Sequence, residues 1–520
     1  MRPLFSFLFF FAMTLLYGQN AYPEVSNLSV QIDPNDEIVT ITYDLADADD
    51  NDLKITFWVS DNNGQSFTIP TENATGDVGF PIQPGIDKNI TWDATGRLTG
   101  AMDYQIKLVA DDLFQLDIQA IVDQVDSNRL HSNLEFIASP RHRFTSPGHL
   151  GAVKDSIEQA FLAADLETWR EDVPYGNYTG QNIIGRLAGT TQTEKTYIID
   201  AHFDTVSNSP GADDNGSGIA GVLEILRVLA PYRFSKTLRF IGFDLEEEGL
   251  VGSEHYATNN ISAEETIEGV FNMEMIGYYS DEPNSQTFPT GFNILYPDQY
   301  ATIQADQFRG NFINNIGDQN TVPLQTAYAN AAALYVPELK VISLTAPSNW
   351  LLITPDFGRS DHAPFWIAGI PALMLTDGSN FRNSNYHTVN DELETLNFTF
   401  MSHVVKAIVG AVAEEAGIEH STTASADFSV TTGLDNTLDC KFQLSPVPVD
   451  EHLVLSFGRC DFEAVTVQIF DLTGKLALET LTQPILTKTV DLDLTALEAG
   501  TYLLKASNGA QSISRKLIVN

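Results

Sequence analysis

The 520-residue chain carries 28 basic against 69 acidic side chains, a formal net charge of −41. That balance excludes a protein built to grip nucleic acid, which needs a basic footprint on phosphate, and argues against electrostatic docking to anionic lipid. With 43% hydrophobic and 10% aromatic residues there is material for packed cores, and the length suggests roughly two to four domains.

In chain order, Arg2 precedes an apolar run over residues 4–16 and then Tyr17-Gly18-Gln19. This is the layout of a secretory signal peptide, residues 1–18, cleaved before Gln19. The run is shorter than the ~18 residues a bilayer span needs, and no later stretch qualifies, so no membrane span is expected in the mature protein. Residues 19–117 alternate polar and apolar side chains over 39–43, 54–59 and 104–109, with turn clusters between. They predict an accessory β-sandwich of immunoglobulin or fibronectin type. The acidic run Asp47, Asp49, Asp50, Asp52 offers hard oxygens that suit Ca2+. It lacks the ordered spacing of a dedicated calcium loop, and a solvated acidic turn is the plainer reading.

From 118 to 417 the texture changes. Apolar residues recur at helical spacing over 118–137, 152–166, 219–229 and 396–413. Short apolar runs of strand length occupy 196–201, 237–243, 291–296, 340–345 and 370–376. Strands alternating with helices predict an α/β domain with a mixed, largely parallel sheet covered on both faces. Residues 418–439, rich in Ser, Thr, Asp and Ala, read as a linker, and 440–520 return to alternating β segments, predicting a C-terminal β-sandwich. The only two cysteines, Cys440 and Cys460, allow at most one local bridge.

Five clusters in the α/β segment carry chemistry: His202-Phe203-Asp204, the run 211–218 with Asp213-Asp214-Asn215-Gly216, Asp244-Leu245-Glu246-Glu247-Glu248-Gly249, Asn272-Met273-Glu274-Met275, and Tyr386-His387-Thr388. Each has an ordinary reading taken singly. A His-x-Asp pair is often a local hydrogen bond, Asp213-Asp214 would suit a helix N-terminus, and a triple glutamate is usually a solvated charge run. Glu274 between methionines is harder to dismiss, because a carboxylate in an apolar stretch needs a partner. Together they put two imidazoles and several carboxylates at successive strand ends, a donor set that suits zinc. A carboxylate shared between two ions permits a dinuclear hydrolytic site, and of two adjacent glutamates one can ligate while the other serves as a base.

The ordered set of His202-x-Asp204, Asp214-Asn215-Gly216-Ser217-Gly218, Glu246-Glu247-x-Gly249-Leu250-x-Gly252-Ser253, Asn272-x-Glu274-Met275-x-Gly277 and Tyr386-His387-Thr388 resembles the zinc metallopeptidases of the bacterial leucyl aminopeptidase family (clan MH). Ser360-Asp361-His362-Ala363-Pro364-Phe365 adds to the match. The resemblance implies two Zn2+ per chain. Asp214 would bridge them, Glu247 and His387 would complete one site, and His202 and Glu274 the other. Glu246 would be the general base and Asp204 the residue that orients His202, while Tyr386 would assist the tetrahedral intermediate. The Asp214-Asn215 peptide is expected to be cis. Many members have Asp where this chain has Glu274. In the C-terminal segment, Gln443-Leu444-Ser445-Pro446-Val447-Pro448-Val449 and Leu497-Glu498-Ala499-Gly500-Thr501-Tyr502 resemble the sorting domain of Bacteroidetes type IX secretion. That implies a secreted or cell-surface protein whose partners are peptide substrates and the outer-membrane secretion machinery.

The leading expectation is therefore a secreted dizinc aminopeptidase. A carboxypeptidase of the same clan would need a cation for the terminal carboxylate, with Arg359 or Arg382 available. A glutaminyl cyclase would use one zinc, and a surface adhesin would need none of the ligand set.

Overall fold

Alternation between residues 24 and 111, together with one strand from far along the chain, builds two four-stranded sheets that share one core. The first runs in the order Glu24–Asp33, Ile38–Ala46, Gly85–Asp93, Ala74–Gly76, and the second Ser421–Phe428, Tyr104–Asp111, Leu53–Ser60, Gly79–Ile82. Val39, Ile41, Tyr43 and Leu45 face Leu53, Ile55, Phe57 and Val59 across that core, with Trp92 buried among them. The computed structural model describes residues 20–429, apart from 34–36, 50, 63, 65 and 99–103, and then 442–445, 452–457, 465–471, 475–482, 489–507 and 512–519. The expected leader and both cysteines lie outside the described residues.

Much of the stretch expected to be a linker, 418–439, is strand. Ile418–Glu419 pairs with Arg233–Phe234, and Ser421–Phe428 runs antiparallel to Tyr104–Asp111, from Ser421 opposite Asp111 to Phe428 opposite Tyr104. Its Ser/Thr/Ala/Asp composition hides it. What fixes the strand is the open edge beside it and the stacking of Phe428 on Tyr104, ring centroids 5.3 Å apart. The sandwich is thus closed by chain that arrives from beyond the α/β domain. A chain ending at Gly417 is expected to melt roughly 5–10 °C below one ending at Ser429, since it uncovers Tyr104 and loses the burial of Phe428. Calorimetry of the two would decide it, and equal melting would contradict the strand's role.

The acidic turn of the sandwich uses its carboxylates locally. Asp47 accepts the Asp49 N–H at 2.7 Å and Asp49 accepts the Ala21 N–H at 2.6 Å. Among the described residues, clusters of three or more His, Cys, Asp or Glu side chains able to hold a metal occur only in the α/β domain.

That domain centres on an eight-stranded mixed sheet in the order Val341–Thr345, Ile313–Gly317, Ala372–Thr376, Thr266–Met273, Gln192–His202, Lys236–Phe243, Tyr178–Leu187, Glu167–Tyr175. The middle four are mutually parallel, and antiparallel strands flank them. Ile199, Phe240 and Phe271 pack under helix Gly218–Leu229, whereas their neighbours Ile198, Ile241 and Val270 pack with Tyr256 of helix Val251–Asn259 on the other face. The chain leaves Gln192–His202, crosses one face to Lys236–Phe243, then crosses the other face to Thr266–Met273 on the far side. Strand order therefore reverses at Gln192–His202, which opens a crevice at the carboxyl ends of these strands. Residues 291–296, expected as a strand, form the helical turn Phe292–Leu295 instead. Only Phe292 of the turn is buried and Ile294 is exposed, so the apolar run does not alternate. No helix among the described residues is long and apolar enough to cross a membrane.

The C-terminal segment pairs Phe442–Ser445, His452–Phe457 and Thr489–Asp493 in one sheet. Leu476–Thr482, Val465–Asp471, Gly500–Ser507 and Ser512–Val519 form a second, and Leu453, Leu455, Val467, Ile469, Leu492, Leu504 and Leu517 make the core.

Candidate metal centre

His202 is the last residue of the central strand and is fully buried. Its Nδ1 lies 3.4 Å from Asp204 Oδ1, as extended backbone at 202–204 would place it. This leaves Nε2 facing Glu274 Oε2 at 3.3 Å, Asp214 Oδ1 at 3.5 Å and Glu246 Oε2 at 3.7 Å. The strand Lys236–Phe243 delivers the glutamates on a tight turn, and Asp204 accepts the backbone N–H of Glu246 at 3.1 Å and of Glu247 at 3.3 Å. Gly252 allows the turn to close, because a Cβ there would lie 2.1 Å from the Asp244 carbonyl oxygen.

Asp214 sits in an irregular helical turn, Ala212–Ser217, and its peptide bond to Asn215 is cis. The Asp213 and Asp214 carboxylates do not cap the helix that follows: its first N–H, at Gly218, donates to Asn215 Oδ1 at 3.1 Å. Asp214 Oδ2 lies 3.1 Å from His387 Nε2, and that nitrogen is also 3.1 Å from Glu247 Oε2. The two Asp214 oxygens thus face two different imidazoles. Asn215 ties the turn to the next strand: its Nδ2 donates to Met273 O at 2.8 Å and its Oδ1 accepts from Met275 N at 3.1 Å. Glu274 follows directly, with Ser360 Oγ donating to its Oε2 at 2.8 Å.

Two donor groups result, His202–Glu246–Glu274 and Asp214–Glu247–His387, each with its donor atoms within 4.8 Å of one another. The electrostatics call for added positive charge. Burial pushes Glu246 well above the usual carboxylate range, and burial with the neighbouring Asp214 carboxylate pushes Glu247 up to about 7. Burial opposes a charged His202, yet the surrounding carboxylates, Glu246 first, pull it well above its ordinary value. Against the same burial, Asp214 and Glu247 pull His387 up to about 10. Both His202 ring nitrogens and Asp214 Oδ2 are buried without a hydrogen-bond partner. Orphaned imidazole nitrogens among crowded carboxylates fit a divalent cation with mixed N/O ligands.

Beside Glu274 lies a pocket open to solvent and walled by Phe288, Phe292, Ile316, Leu344, Phe357 and Met374, with Asp356, Arg359 and Tyr386 among its polar lining. Tyr386 stacks on His387 at 3.7 Å, and its hydroxyl accepts from Arg359 at 3.0 Å. Arg382, by contrast, is buried inside the fold, its Nε donating to Gln286 Oε1 at 2.7 Å and its Nη1 to Phe312 O at 2.8 Å.

Sequence reasoning missed the supports. Asp391 accepts the N–H groups of Asp213 and Asp214 at 3.0 and 3.1 Å. Arg141 is completely buried and donates to the carbonyls of Ile137, Ser139, Phe203, Pro210 and Gly211. Both lie far along the chain from the motifs they brace, and no local pattern marks them.

Known proteins share the part of the chain that holds these groups. Residues 182–412 match peptidase family M28, and residues 443–520 match the secretion system C-terminal sorting domain. A relative from Escherichia coli, YfbL, described as uncharacterised, is 30% identical over 50% of this chain and 79% of its own length. A probable zinc metalloprotease of Leptosphaeria maculans is 26% identical over 63% of this chain and 83% of its own. Aminopeptidase YwaD of Bacillus subtilis is 30% identical over 46% of each chain. With its metal-type donor groups at the strand ends of the matched region, the chain belongs to peptidase family M28.

Proposed function

We propose that this metallopeptidase is a secreted aminopeptidase working with two zinc ions. The observation that carries the reading is Asp214, whose two oxygens face the separate imidazoles of His202 and His387. A carboxylate so placed can serve both donor groups at once. In this reading Glu247 and His387 hold one ion with Asp214, and His202 and Glu274 hold the other. Bound zinc supplies Lewis acidity that polarises a scissile carbonyl and acidifies water. Glu246 takes the proton from the attacking water and passes it to the leaving amine. Asp204, at Nδ1, keeps the His202 ring turned so that Nε2 faces the ligands. Tyr386, held by Arg359, offers its hydroxyl to the oxygen on which charge develops.

Charge favours trimming at the amino end. A terminal carboxylate needs an uncommitted cation; Arg382 is buried, and Arg359 is shared among Tyr386, Asn380 and Asp356. A terminal ammonium finds carboxylates in abundance. The aromatic and aliphatic walls beside Glu274 suit a large apolar side chain. The sorting domain directs the chain to type IX secretion, and the leader at residues 1–18 would take it across the inner membrane.

Glu274 provides the test of the ligand assignment. Glu274→Ala is expected to retain one zinc and to lose activity, whereas Glu274→Asp keeps the charge, shortens the reach by one methylene, and should remain active with weakened metal affinity. Elemental analysis finding two zinc equivalents in the alanine variant would remove Glu274 from the ligands.

A further inference from the structure

The turn that carries Glu246 and Glu247 has left-handed backbone at Leu245 (φ 60°), Gly249 (φ 105°) and Leu250 (φ 63°). For leucine that conformation brings Cβ against the carbonyl, and it persists only where the surroundings hold it. On the inner side Asp204 supplies the hold through the two backbone N–H groups. On the outer side the hold comes from the third glutamate. Glu248 Oε1 accepts from Arg143 Nε at 2.7 Å, and Glu248 Oε2 accepts from the Tyr175 hydroxyl at 3.2 Å. The Arg143 guanidinium is itself enclosed by three rings, Phe144 at 4.1 Å, Tyr175 at 4.8 Å and Tyr178 at 5.8 Å from their centroids. Its side chain is only 15% exposed and that of Glu248 21%. An ordinary surface ion pair contributes little. This one is caged, so the position and plane of the guanidinium are both restrained.

We infer that Arg143 and Glu248 are positioning residues for the reaction: they clamp the glutamate turn from its outer side, so that Glu246 meets the proton it moves while Glu247 stays in its donor group. The inference rests on the reading of Glu246 as the base. Glu248, which looks like part of a solvated charge run in the sequence, is then the handle by which a loop 105 residues away steadies the base.

Arg143→Met and Glu248→Gln, made in the full chain singly, together, and each with Glu246→Gln, test this. Both singles should lower kcat about 10- to 100-fold, the scale of a sub-ångström misplacement. KM should stay within twofold, with zinc content and melting temperature unchanged. The double variant should be no worse than either single, because both remove one restraint. In the Glu246→Gln background, removing Arg143 should change the residual rate less than twofold. A kcat within twofold of wild type in both singles overturns the inference. So does a loss that travels with lost zinc or a lower melting temperature, or the same loss in the Glu246→Gln background. Near wild-type turnover by Glu246→Gln alone would instead defeat the base assignment, whereas an inert Glu246→Gln beside unaffected Arg143→Met overturns the clamp only.

Discussion

Glu246→Gln is expected to keep both zinc ions and near-normal substrate binding while kcat falls by about 10²–10⁴-fold, the usual contribution of a positioned proton shuttle. The amide preserves the shape of the side chain and its place in the turn, but it cannot accept the proton. Glu247→Gln should behave differently. Its Oε2 lies 3.1 Å from His387 Nε2, inside the second donor group, so the amide should weaken metal binding, and added zinc should restore part of the activity. Zinc stoichiometry and kcat measured side by side separate the two roles. Since Glu246 Oε2 also lies 3.7 Å from His202, the critical result is metal content: if Glu246→Gln loses an ion, Glu246 is a ligand and the base must be sought elsewhere.

The largest stability effect is expected at Arg141. Its guanidinium meets five backbone carbonyls from 137 to 211, the segments that carry His202 and lead into Asp214. Burial lowers its affinity for its proton to a pKa of about 10, against the pull of nearby carboxylates, Asp391 and Asp214 first, so it stays charged at neutral pH. Arg141→Met fills much of the volume but strands several buried acceptors, each lost partner costing roughly 1–3 kcal/mol, for a total on the order of 4 kcal/mol. Chemical denaturation should show that loss with an unchanged m-value, and activity at low temperature should fall as well because Gly211 and Phe203 lose their anchor. A loss under about 1 kcal/mol would mean that water replaces the guanidinium, and the bracing role would fail.

The donor residues were legible because their chemistry is local. His202 and Asp204 are two apart at the end of a strand that reads as one, the glutamates are adjacent just after another, and Asp214 and His387 stand in turns marked by their own motifs. Central strands buried on both faces have apolar runs that periodicity detects, as at 237–243. Elements fixed by their neighbours were not legible. Ser421–Phe428 is strand because Tyr104–Asp111 offers an edge, and the residues 291–296 turn into a helix although their apolar run suggests a strand. Tyr178–Leu187 and Glu167–Tyr175, paired antiparallel outside the parallel centre, carry mixed polar sequences that conceal them. The supports of the site, Asp391, Arg141 and the Arg143–Glu248 pair, join positions 62 to 178 residues apart. One end of each bond lies in a motif, but nothing local marks the distant partner.

The central claim is the trimming of apolar residues from the amino ends of peptides. A defined peptide mixture digested by the zinc-loaded full chain and read from both ends by mass spectrometry tests it most directly. The account predicts stepwise loss of amino-terminal residues, with Leu, Phe and Met removed about 10–100-fold faster than Ala, as expected for burying a large side chain in the pocket beside Glu274. Shortening from the carboxyl end, or loss of ammonia from amino-terminal glutamine without any shortening, would contradict it.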